Sequence, residues 1–129
     1  MPSIGDVIEL IAELPGHHLQ AGSQGTIVHC HADQAYEVEF TNETGETLDF
    51  LAVRPAQFIV VWRAETQQWV PVAEQAAALV ARLPAEAGRE VLDFARFLSV
   101  RVQRSGKEPA WATRVLPQAQ PQLAQIETA

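Results

Sequence analysis

Tyr36-Glu37-Val38-Glu39-Phe40, running into Thr41 and the turn Asn42-Glu43-Thr44-Gly45, decides the fold of the first half of this chain. Apolar and charged residues alternate without a break, so Tyr36, Val38 and Phe40 share one face of a strand and Glu37 and Glu39 the other. Gly45 stands where a tight turn often needs a left-handed residue. Thr47 to Val53 then reads as the next strand.

Outward from this pair the pattern continues. Gly5-Asp6 opens a first strand, Val7-Ile8-Glu9-Leu10, and Pro15-Gly16 and Ala21-Gly22-Ser23-Gln24-Gly25 break the chain before a second strand from Thr26 to His31. Arg54-Pro55-Ala56-Gln57 reads as a single tight turn before a fifth strand, Phe58 to Trp62. Five short strands, a long first loop and a one-turn connector predict a small Src-homology-3-like β-barrel over residues 1–63. Residues 64–71 form a connector or hairpin in which Trp62 and Trp69 pack across the strands.

Beyond Trp69 the chain becomes alanine- and leucine-rich, and residues 72–104 predict a helical hairpin. Ala76, Leu79, Val80 and Leu83 line one face of a helix over Val72 to Leu83, and Pro84 ends it and opens the next. In the second helix, from about Pro84 to Gln103, Ala87, Val91, Phe94, Ala95, Leu98 and Val102 recur on one face, widened by Leu92 and Phe97. A stripe of that width on a helix about 30 Å long needs more than one small partner. Residues 105–129, with Pro109, Pro117, Pro121 and four glutamines, predict a flexible tail whose one sticky segment is Trp111 with Val115-Leu116. The fold class is α+β.

Charge follows the same division. Residues 1–63 hold nine carboxylates against Arg54 and Arg63, whereas residues 64–129 hold seven acids and seven bases, giving the net −7 of the 129-residue chain. Nucleic-acid binding rests on Lys/Arg clusters, and the acidic first half argues against it. The basic stretch Arg96, Arg101, Arg104, Lys107 and Arg114 is weak and complements a helix C-terminus. One cysteine excludes an internal disulfide framework. No secretory signal is visible and no apolar run approaches a bilayer's thickness, so a cytoplasmic protein without membrane contact is expected.

The four histidines, His17, His18, His29 and His31, all lie early, with Cys30 between the last two. Strand alternation places Cys30 with Val28 on the core face and His29 and His31 outside, opposite Glu39 and Glu37, as cross-strand pairs. The alternative is a metal site in which His29 and His31 are joined by His17 or His18 from the long loop, although the spacing lacks a second close ligand pair. No cofactor is implied.

Two resemblances add to this reading. Gly5-Asp6-Val7-Ile8-Glu9-Leu10, Leu14-Pro15, Leu19-Gln20-Ala21-Gly22-Ser23-Gln24-Gly25-Thr26-Ile27-Val28, Tyr36 to Phe40 and Gly45-Glu46-Thr47-Leu48 resemble an uncharacterised bacterial domain family over roughly residues 4–62. That resemblance implies a Src-homology-3-like fold and no known chemistry. Residues 79–98 are similar to a second small bacterial family through Leu83-Pro84, Glu86, Glu90-Val91-Leu92-Asp93-Phe94 and Phe97-Leu98. Its members often look like antitoxins, and its motif forms a helical hairpin that associates with partners. Gly88 departs from that pattern and costs about 1 kcal/mol relative to alanine in a helix.

The expected function is therefore non-enzymatic: an interaction module, antitoxin-like or regulatory, binding a protein partner or forming a homodimer. Its contact residues are expected to be Val91, Phe94, Phe97, Leu98, Val102 and Trp111. The alternatives are an accessory subunit whose barrel docks on a larger enzyme or complex, and a metal-binding protein through His29 and His31.

Overall fold

The structure, a computed structural model, describes residues 1–106. These form six strands, β1 (Val7–Leu10), β2 (Gln24–Cys30), β3 (Tyr36–Thr41), β4 (Thr47–Val53), β5 (Phe58–Arg63) and β6 (Gln68–Trp69), then two helices, α1 (Val72–Ala81) and α2 (Ala85–Arg104). The chain divides into two compact units, one from Met1 to Leu83 and one starting at Pro84. The expected tail, with Trp111, lies outside the described residues apart from Ser105 and Gly106.

The strands make one antiparallel sheet in the order β4-β3-β2-β1-β5-β6. Two features differ from the expected five-stranded barrel: the strands number six, and the sheet is open, with β4 and β6 at its edges. The sixth strand exists because Gln67 takes a left-handed φ of 53° and reverses the chain, pairing Trp62 with Trp69 and Arg63 with Gln68. The two tryptophans are thus cross-strand partners in register.

The core is built from the alternating positions. Tyr36, Val38 and Phe40 are buried while Glu37 and Glu39 are not. Ile8, Leu10, Ile27, Val53 and Phe58 join them, and the Tyr36 and Phe58 rings meet edge to face with centroids 5.7 Å apart. Leu19, from the long first loop, completes the cluster, held by a bridge between Leu14 and Leu19 across the 3-10 turn Pro15–His17. Gly25 is required by a close approach: a Cβ there would lie 2.6 Å from Val38 Cγ1 and 2.8 Å from the Glu39 carbonyl oxygen.

β5 is buried on both faces, Phe58 toward the core cluster and Ile59 and Val61 away from it. Burial on both sides explains why Phe58 to Val61 reads as a continuous apolar run and not as an alternation. α1 packs beside β5. The Arg82 guanidinium fixes its end, donating to the carbonyl oxygens of Ala78 (2.8 Å) and Pro55 (3.1 Å).

At the start of the chain the buried Asp6 carboxylate accepts two backbone N–H bonds, from Ser3 and from Ala64, each at 2.9 Å. Asp6 therefore ties the N-terminal segment to the exit of β5, more than fifty residues away in sequence. A buried carboxylate with both oxygens so engaged is a structural clamp.

The histidine strand departs from simple alternation. A bulge between Ile27 and His29 shifts the β2–β3 register, so that Ile27 pairs with Val38 and His29 pairs with Glu37, not Glu39. Ile27 is buried, whereas Val28 and Cys30 are exposed. The expected core position of Cys30 is thus corrected: the register pairs it with the buried Tyr36, so it lies on that face, but it is the last residue of β2 and is open to solvent there.

Candidate functional site

α2 is the element on which the sequence placed the partner-binding residues. It begins after Pro84, whose carbonyl oxygen accepts the Gly88 N–H, and ends at Ser105, whose Oγ donates to the Val102 carbonyl oxygen at 2.8 Å. Glu86 lies in the first turn and Arg101 and Arg104 in the last, both complementing the helix dipole. Glycine at 106, with φ +73°, allows the left-handed exit.

At the helical rotation per residue, Ala87, Val91, Phe94, Ala95, Leu98 and Val102 fall on one stripe. No residue of α2 is buried. Phe94 is 61% and Phe97 57% exposed, and Val91 is exposed as well, while Leu98 and Val102 are partly covered. The Phe94 and Phe97 rings lie with centroids 6.1 Å apart, and the Arg101 guanidinium carbon sits 5.8 Å from the Phe97 centroid. An aromatic pair flanked by a cation makes a surface suited to contact with another apolar surface. Five of the six expected contact residues, Val91, Phe94, Phe97, Leu98 and Val102, are therefore on this helix; Trp111 is outside the described residues.

Of the metal candidates, His29 and His31 lie together, while His17 is engaged with β4. His17 Nδ1 donates to Asp49 Oδ2 on β4 at 3.0 Å. His29 and His31 meet edge to face with ring centroids 4.7 Å apart, and His31 Nε2 donates to Glu37 Oε2 at 3.2 Å. Among the described residues no group of three or more His, Cys, Asp or Glu side chains is placed to hold a metal ion.

Two features escaped the sequence reading. One is a cleft of about 220 Å³ whose walls include Ile59, Val60, Val70 and Ala78, rimmed by Arg63, Glu74 and Arg82. Its charged groups are already engaged, Arg63 with Glu74 at 3.7 Å and Arg82 with two backbone carbonyls. The other is on edge strand β4, where Leu48 and Phe50 are both more than half exposed. Alternation would have placed one face of β4 inward, but only pairing order shows that this strand lies at a sheet edge. No helix among the described residues is long and apolar enough to cross a membrane.

The class defined by this architecture is an α+β protein with an antiparallel sheet unit and an exposed amphipathic helix. Residues 4–60 match the family model of a domain of unknown function (DUF4926), which covers β1 to β4 and the start of β5. No curated protein and no solved structure matches the chain. α2 lies beyond the matched residues, so the family gives the sheet unit its likeness and leaves the helix to its own chemistry.

Proposed function

We propose that this chain is a non-enzymatic interaction protein that uses α2 to engage a protein surface, with the sheet unit as its scaffold. The observation that carries this reading is the exposure of Phe94 and Phe97 on a helix with no buried residue. Large apolar side chains grouped on one face at such exposure favour burial against a partner. The likeness of residues 79–98 to antitoxin-like helices supports a regulatory partner of that kind. The return of β5 to pair with β1 after the 3-10 turn Pro55–Gln57 supports a Src-homology-3-like origin for the sheet unit. A cytoplasmic setting goes with this reading.

The test is affinity capture with the tagged full chain from a lysate of the source organism, run beside Phe94→Asp and Phe50→Asp. A specific partner lost with Phe94→Asp and kept with Phe50→Asp is the expected result. A partner kept with Phe94→Asp overturns the α2 reading. A second reading, in which the sheet unit docks on a larger enzyme or complex, is favoured by the exposed Leu48 and Phe50 on edge strand β4. Loss confined to Phe50→Asp is its signature.

A further inference from the structure

α2 has opposite charge at its two ends on the same flank of its apolar stripe. Residues 85–94 hold Glu86, Glu90 and Asp93 against Arg89 alone, and residues 95–104 hold Arg96, Arg101 and Arg104 with no acid. By helical rotation Glu90 and Arg101 fall beside each other on one side of the stripe, and Glu86 and Arg104 fall just beyond them on that same side.

We propose that the partner of α2 is α2 of a second copy of this chain, packed antiparallel about a two-fold axis near Ala95. The inference rests on the reading of α2 as the interaction helix and names its occupant. A two-fold antiparallel pair brings each flank against the same flank of the other copy, running in reverse. With the axis at Ala95, Glu86 meets the height of Arg104 in the second copy, and Glu90 falls within one residue of the height of Arg101. The same operation sets Val91 near Leu98, Ala87 near Val102, and Phe94 near the axis, so the apolar stripe covers itself. A parallel pair would put acidic end beside acidic end and basic end beside basic end. Flanking charges of this kind set partner choice and orientation in helix pairs. Ala95, small and at the crossing point, lets the backbones approach.

The experiment uses the full chain and two charge variants, Glu86→Arg/Glu90→Arg and Arg101→Glu/Arg104→Glu. Light scattering over a concentration series is expected to give the native chain a mass of twice 14.2 kDa. Each variant alone is expected to dissociate at concentrations at least roughly tenfold higher than the native chain. Their equimolar mixture is expected to recover a heterodimer. Circular dichroism confirms that each variant keeps its helices, since arginine and glutamate have similar helix propensity.

Orientation is read separately, in a Cys30→Ser background, by oxidising Ala87→Cys and Val102→Cys chains. A cross-link that forms in the mixture and not within either alone supports the antiparallel pair; cross-linking within each alone overturns it. A native chain that stays monomeric across the series overturns the second-copy inference, and so does a dimer indifferent to both charge variants. Neither result touches the α2 reading itself, which the Phe94→Asp capture decides independently.

Discussion

His17, in the first loop, donates from Nδ1 to Asp49 Oδ2 on edge strand β4 across 3.0 Å, joining segments 32 residues apart. Both side chains are partly solvated, so the bond is worth less than about 1 kcal/mol. Its consequence is positional: it pins the loop carrying Leu19 over the end of the core. Asp49→Ala is expected to lower the urea midpoint only slightly and to speed amide exchange across residues 13–20. Unchanged exchange there would show that the bond does not hold the loop.

Gly25→Ala tests the close approach of β2 to β3. The added methyl would meet Val38 Cγ1, the Glu39 carbonyl oxygen and Phe40 Cδ1, all inside 3.0 Å. Backbone on one side and core on the other leave no room to yield, so a loss of about 1–3 kcal/mol is expected. Gly16→Ala, where no atom lies within 4 Å, is the control and should cost far less. Urea denaturation of both decides it.

Asp6→Ala removes the acceptor of two backbone amides at a buried site. Unsatisfied donors there cost about 2–4 kcal/mol together. Asp6→Asn keeps one carbonyl oxygen and should fall between the native chain and alanine. Equal losses for the two variants would mean that the hydrogen bonds are not what Asp6 contributes.

Cys30 is exposed. The folded protein is therefore expected to react with one equivalent of a thiol-specific disulfide reagent without prior denaturation, at a rate close to that of the unfolded chain. Protection of the thiol until urea unfolds the protein would restore Cys30 to the core.

In the Glu86→Arg/Glu90→Arg background, where the chain is expected to be monomeric, Phe94→Ser should leave thermal stability within about 0.5 kcal/mol, because a side chain 61% exposed in the single chain loses little burial on truncation. A loss of several kcal/mol in that monomeric background, read by calorimetry, would show that Phe94 belongs to the core of its own chain.

The alternation of Tyr36 to Phe40 was enough to set the face of β3, since a period of two has only one inward solution once three large apolar residues share it. The change from alternation to helical spacing past Trp69, with Pro84 between two apolar stripes, was enough to place α1 and α2. The stripe of α2 was legible for the same reason: periodicity is a local property.

What the tertiary structure decided was non-local or one residue wide. Whether Gln68-Trp69 pairs back on Trp62 depends on a left-handed Gln67, a conformation that glutamine does not advertise. The bulge after Ile27 sets His29 against Glu37 and Cys30 against the buried Tyr36, yet Cys30, at the end of β2, is open to solvent, which strand alternation alone does not show. The pairing of His17 with Asp49, and the bond that Asp6 accepts from Ala64, join residues whose separation in sequence carries no trace of their distance in space.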